Sequence, residues 1–224
     1  MKFVRQTFER MALKRGLFVV IEGADGTGKS TQVLNLTKRL QSEGYPCSSM
    51  RFPDRSTQIG GMIDSYLQCK SNLSDESVHL LFSANRWELK NQITNTLASG
   101  TSIICDRYAF SGVAYTSSKP GFSLCWCMGP DRGLPKPDLV LYLHASEKLA
   151  QSRSNYGTER YEKREFQNKV AEMFEEIRAV DKTLTWTDYT VERGIDEVTD
   201  DLFGILQKEL NSNLVKEVGK LWME

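Results

Sequence analysis

No stretch of this sequence reaches the roughly 18 consecutive apolar residues of a membrane-spanning helix, so the chain is expected to be soluble. Charge of one sign is missing too. Lys plus Arg number 29 against 29 Asp plus Glu, so no global field draws the chain to nucleic acid or an anionic membrane, and any phosphate recognition must be local. The five cysteines (47, 69, 105, 125 and 127) are odd in number and scattered, and Cys125-Trp126-Cys127 lacks the two-residue spacing of a zinc knuckle or redox pair. They read as reduced thiols of a reducing compartment, with the cytoplasm as the expected location and the nucleus as a second. There is no internal repeat and no low-complexity tract. At 224 residues the chain suits one α/β domain with a real core.

What is there begins with Gly23-Ala24-Asp25-Gly26-Thr27-Gly28-Lys29-Ser30, directly after the apolar run Leu17-Phe18-Val19-Val20-Ile21. A strand, a glycine-rich turn and a helix form a phosphate-binding loop. Glycines let the backbone curl so that successive N–H groups face a polyphosphate, and the helix adds the positive end of its dipole. Lys29 is expected to reach the β and γ phosphates and Ser30 to offer its hydroxyl to Mg²⁺. Thr27 and Thr31 complete the expected nucleoside triphosphate site.

Ahead of that loop, residues 1–15 carry Lys2, Arg5, Arg10, Lys14 and Arg15 against the single acid Glu9, faintly like an organelle leader. Residues 1–10 are expected to be a disordered extension, and 11–224 a single domain. Beyond the loop, hydrophobic spacing predicts helices over 30–43, 59–68, 74–99, 147–154, 161–180 and 195–210, with another opening at Ser111. Strands are expected at 47–52, 101–105, 138–143 and 184–189, and residues 119–137 as a loop. Such alternation gives a parallel sheet with helices on both faces.

Ligands of such sheets bind beyond the carboxyl ends of the strands. Two of those ends carry Arg51-Phe52-Pro53-Asp54-Arg55 and Asp106-Arg107-Tyr108. A carboxylate beside the phosphate loop suits the Mg²⁺ shell, and an adjacent arginine can clamp phosphoryl oxygens. Phe82 and Arg86 are four apart and share one helix face, which on spacing alone reads as core. The polar stretch from Arg153 to Tyr161 reads as a short lid able to bring cations over a triphosphate. A GTPase switch would carry N-K-x-D, and the nearest match, Asn168-Lys169-Val170-Ala171, lacks the aspartate.

Taken with His79-Leu80-Leu81-Phe82-Ser83-Ala84-Asn85-Arg86-Trp87-Glu88, Asp106 through Tyr115 and Gly133-Leu134-Pro135-Lys136-Pro137-Asp138, these blocks resemble eukaryotic thymidylate kinases from about Met11 to Trp222. The resemblance implies a three-layer αβα P-loop NTPase fold with a central parallel five-stranded sheet and a short lid. It also implies transfer of the γ-phosphoryl of Mg-ATP to dTMP, and a homodimer. Phe82 would then stack on thymine and Arg86 bond its O4 edge, reversing the core reading. Ser111 would help read the base, with Leu67 and Gly112 beside it. Tyr115 would press against the sugar, and Asp25 would accept from its 3′-hydroxyl. Arg55 and Arg107 would grip the dTMP phosphate, Phe52 with a cis Pro53 would shape the floor, and Tyr161 and Gln167 would close from the lid side. Arg153 would lie along the adenine. One position departs from the pattern: similar eukaryotic members place an arginine where this chain has Gly26. Arg160 first, and Arg153 second, are expected to supply that missing cation.

Overall fold

A computed structural model describes residues 15–146, 148–150, 160–161, 164–210 and 217–223. The expected extension at residues 1–10, and most of the expected lid, lie outside the described residues. Five strands, β1 (Phe18–Gly23), β2 (Cys47–Arg51), β3 (Ser102–Asp106), β4 (Leu139–His144) and β5 (Trp186–Thr190), form one sheet in the order β2-β3-β1-β4-β5. Every neighbouring pair is parallel, as the strand–helix alternation predicts.

The two faces of β1 show why the sheet is buried on both sides. Phe18 and Val20 enter one core cluster, whereas Leu17, Val19 and Ile21 enter the other, and all are fully buried. Helix α1 (Lys29–Ser42) covers the second face with Val33, Leu36 and Leu40, beside Leu202 and Leu206 of the last described helix, α8 (Ile195–Leu210). The first face takes Phe110, Val113 and Ala114 of α5 (Ala109–Ser117) and Val170, Phe174 and Ile177 of α7 (Arg164–Val180). Leu221 of the C-terminal segment is fully buried there, exchanging backbone bonds of 2.8 Å with Gly133 and Leu134.

Two expectations needed correction. The predicted helix over 74–99 is two helices, α3 (Asp75–Glu88) and α4 (Lys90–Ala98), joined at Leu89, which has φ −96° and ψ 0°. No Gly or Pro marks that break, so the apolar periodicity runs through it. The predicted loop 119–137 contains a short helix, α6 (Leu124–Met128), and a 3₁₀ turn at Gly129–Asp131. Helix α2 (Gln58–Leu67) packs on α3, and Ile63, Tyr66, Leu67 and Val78 form a small third cluster there. That pair walls one side of the cleft above the strand ends.

Candidate active site

The chain leaves β1 through Gly23, Gly26 and Gly28, whose φ values are 141°, 79° and 85°, and enters α1 at Lys29. Such torsions are costly for residues with a Cβ. At Gly26 a Cβ would also fall 2.5 Å from the carbonyl oxygen of Ala150, so the backbone opposite leaves no room for a side chain there. Asp25, Gly26, Thr27, Gly28, Lys29, Ser30 and Thr31 line a cavity of about 420 Å³, closed opposite by Val191, Ile195 and Val198. Arg51, Asp106 and Arg107 complete its wall.

Lys29 lies buried in the loop, donating from Nζ to the Ala24 carbonyl at 2.5 Å. Burial, aided by the neighbouring Arg107 cation, pushes its pKa down to about 8. Asp25 is the reverse case. Burial would raise its carboxyl, but the attraction of Arg107 and Lys29 outweighs it and the pKa falls below the usual value. Asp106, at the end of β3, accepts a hydrogen bond from the Ser30 hydroxyl. Arg51, at the end of β2, stands 4.0 Å from the same carboxylate.

A second, more apolar cavity adjoins the first, and the two share Asp25, Arg51 and Arg107. Its lining brings together Phe52, Pro53, Arg55, Leu67, Phe82, Arg86, Ser111, Gly112, Tyr115 and Tyr161 from five separate stretches of chain. The Phe52–Pro53 peptide is cis, as the resemblance implies. Gln167 stands behind the lining, donating to the Tyr161 carbonyl at 2.9 Å and to the Tyr115 hydroxyl at 3.3 Å. Phe82 is half-buried on the cavity wall, so spacing alone misread it as core. Arg86 is only 1 % exposed, yet it is no core residue either. Its Nε and Nη2 make a two-pronged pair with Asp131 at 3.1 and 2.6 Å, which orients its remaining edge.

Arg107 occupies the joint between the cavities. Its guanidinium donates to Asp25 and to the Ser111 hydroxyl at 3.1 Å, and lies over the Tyr115 ring at 5.5 Å. Arg55 pairs with Asp64 of α2 at 2.7 Å. Arg160 is placed differently from the expectation. It lines neither cavity, but donates to the carbonyls of Tyr66 and Ser71 and to the Asn72 side chain, and stacks on Tyr66 at 4.2 Å. Its fork ties the end of α2 to the turn that follows, sharing the Tyr66 carbonyl with Cys69 N, a local use that proximity to the lid in sequence does not reveal. Arg153 lies outside the described residues.

Sequence reasoning passed over four residues. Asn85 is fully buried and pins the turn after β2, accepting from Asp54 N at 2.8 Å and donating to Asp54 O at 3.1 Å and Glu88 Oε1 at 2.7 Å. Asp131 orients Arg86 and also accepts from Ser83 at 2.7 Å. Arg51 was visible at a strand end but was given no role. Glu22, the residue before the loop, is fully buried. Burial raises its pKa, against the pull of Arg107 and the hydrogen bonds it accepts.

Comparison with known proteins agrees with this geometry. The family model for thymidylate kinase matches residues 21–202. The thymidylate kinase of Danio rerio is 48 % identical, the match covering 95 % of this chain and all of that protein. The Homo sapiens enzyme is 45 % identical with the same two coverages. A solved structure of thymidylate kinase from Candida albicans superposes with a TM-score of 0.81 at 38 % identity, over 92 % of this chain and 98 % of that one.

Proposed function

This chain belongs to the thymidylate kinase family and phosphorylates dTMP with ATP, a step towards dTTP; from that premise we propose which of its residues do the work. The observation that supports the assignment is the meeting of two cavities at Asp25, Arg51 and Arg107, one built from the phosphate loop and one lined by aromatic and apolar groups. ATP occupies the first cavity, its phosphates on the loop N–H groups and Lys29, its adenine against Val191, Ile195 and Val198. The thymidine moiety of dTMP occupies the second, between Phe82, Arg86, Ser111 and Tyr115, with its phosphate on Arg55 and Arg107.

The chemistry is a displacement at phosphorus. An acceptor phosphate oxygen bonds to the γ phosphorus, the bond to the β–γ bridging oxygen breaks, and ADP leaves. The acceptor is already anionic at neutral pH, so no general base is required. Catalysis is alignment plus cations set against the shared oxygens, and Lys29, Arg51 and Arg107 supply that charge. Mg²⁺ fits beside them. Ser30 and Asp106 bring two hard oxygen donors into contact at the mouth of the phosphate loop, and the ion they would hold would supply positive charge to the phosphates. A homodimer belongs to the same reading, from the resemblance.

ADP release from ATP and dTMP tests the metal assignment. Chelation of divalent ions should abolish turnover and Mg²⁺ should restore it, and Asp106→Asn should raise the Mg²⁺ needed for half-maximal rate at least tenfold. Turnover that survives chelation, or an unchanged Mg²⁺ requirement in the variant, would refute it.

A further inference from the structure

Of the groups that no step above uses, Glu22 is the most closely bound into the site. Its carboxylate is fully buried, one residue before the phosphate loop, and three donors converge on it. Oε1 accepts from the backbone N–H groups of Tyr108 at 2.9 Å and Ser111 at 3.1 Å, and Oε2 accepts from the Ser111 hydroxyl at 2.6 Å. The two amides are orphan donors at the start of α5, where no side chain of the helix's own cap residue serves them. Strand β1 therefore caps a helix that starts 87 positions later in the chain.

The cap fixes Arg107. That residue has φ 64°, a left-handed torsion that a residue with a long side chain holds only where its surroundings enforce it. The enforcement comes from both sides: Arg107 N donates to Ile21 O at 3.0 Å, and the next N–H, of Tyr108, is held by Glu22. The side chain is tied to the same carboxylate at one remove. Arg107 Nη1 donates to the Ser111 oxygen, whose own proton is directed to Glu22. A hydroxyl that gives its proton to a carboxylate presents its lone pairs to the guanidinium.

We propose that Glu22 is a positioning residue for phosphoryl transfer: by holding the Tyr108 and Ser111 amides and the Ser111 hydroxyl, it aims the Arg107 guanidinium at the acceptor phosphate. Glu22→Gln separates this role from mere filling of space. The replacement amide keeps one oxygen for the two backbone donors, but sets an NH₂ against the Ser111 hydroxyl. That NH₂ and Arg107 then compete for one hydroxyl oxygen, and Arg107 loses its anchor. Phe82 and Arg86 make no bond to Glu22 among those above, and Ser111 faces dTMP and thymidine alike, so thymidine, which lacks the phosphate, serves as the internal control and the ratio of the two affinities reads the phosphate clamp.

The inference rests on the reading of Arg107 as the clamp on the dTMP phosphate, so Arg107→Ala is measured alongside. Calorimetric affinities for dTMP and thymidine give one ratio per variant of the full chain. Glu22→Gln should lower the dTMP-to-thymidine ratio at least tenfold, any loss at Ser111 that both ligands share cancelling in the ratio. Ser111→Ala breaks the same chain at its middle and should lower the ratio at least fivefold. The double variant should be no worse than Glu22→Gln alone, because one chain is broken once. A ratio within threefold of the parent in Glu22→Gln, or equal losses of both ligands, overturns the proposal. If Glu22→Gln does not fold, a ratio within threefold in Ser111→Ala does so instead. An unchanged ratio in Arg107→Ala would sink the clamp reading itself, whereas loss there without loss in Glu22→Gln would sink only the role of Glu22.

Discussion

Gly112 sits in α5 where the Arg86 guanidinium crosses the helix, and replacing it with alanine is a small change with a large expected effect. A Cβ there would lie 2.7 Å from Arg86 Nη2 and 3.0 Å from Nη1, closer than carbon and nitrogen tolerate. An exposed arginine would swing aside at little cost. Arg86 cannot, because it is 1 % exposed and both prongs of its fork are bound to the fully buried Asp131. The guanidinium must give up either that pair or its place on the base edge. A hydrogen bond to a charged group contributes about 1.5–3 kcal/mol, so losing it at the base predicts a roughly 10- to 150-fold rise in KM for dTMP. Alanine is a better helix former than glycine by about 1 kcal/mol, which partly offsets the strain in the folded state. The assay is steady-state kinetics with each substrate varied in turn, together with a thermal melt. KM for dTMP should rise at least tenfold, KM for ATP should stay within threefold, and the melting temperature should change by no more than a few degrees. A KM for dTMP within threefold of the parent would refute the claim that Arg86 is locked in place and reads the base.

Lys29→Met should abolish turnover yet raise the stability of the nucleotide-free protein. A pKa lowered from 10.5 to about 8 means that burying the charged ammonium costs up to about 3 kcal/mol, fully present below pH 8 and relieved as pH rises towards 10.5. Melts at pH 7 and pH 10 check this, and the advantage of the variant should shrink at the higher pH. The same pKa predicts that KM for ATP is flat from pH 7 to about 7.5 and about tenfold higher at pH 9, as Lys29 loses the charge that meets the phosphates; a flat profile through pH 9.5 would contradict it. Arg160→Ala should leave kcat within threefold while lowering the melting temperature, because its bonds go to Tyr66, Ser71 and Asn72. A hundredfold fall in kcat at unchanged stability would return Arg160 to the transferred phosphoryl.

The parts of the site legible in the sequence are those whose chemistry is local. The phosphate loop declares itself in eight consecutive residues, Asp106-Arg107 marks a strand end because an apolar run stops there, and Arg51 lies just before the Pro53 that ends its strand. Short strand-like runs alternating with helical spacing likewise placed the strands to within two residues, though not their order in the sheet. What escaped depends on partners far along the chain. Glu22 meets Ser111 across 89 positions, and Arg86 meets Asp131 across 45. A buried carboxylate at the end of an apolar strand looks, in sequence, like the start of a loop. Phe82 was misread for a related reason, since helical spacing shows which residues share a face but not whether that face meets a core or a cleft. Leu89, partly buried against the main core cluster, breaks a helix where the sequence has no breaker residue.

The central claim is that the cavity built around Phe82, Arg86 and Tyr115 selects dTMP and presents it to the phosphate loop. A coupled ADP-release assay with Mg-ATP and dTMP, dUMP, UMP, dCMP or GMP tests it most directly. The account predicts kcat/KM for dTMP at least tenfold above each of the others, with UMP and GMP lowest. Equal rates across the panel, or preference for a ribonucleotide, would contradict it.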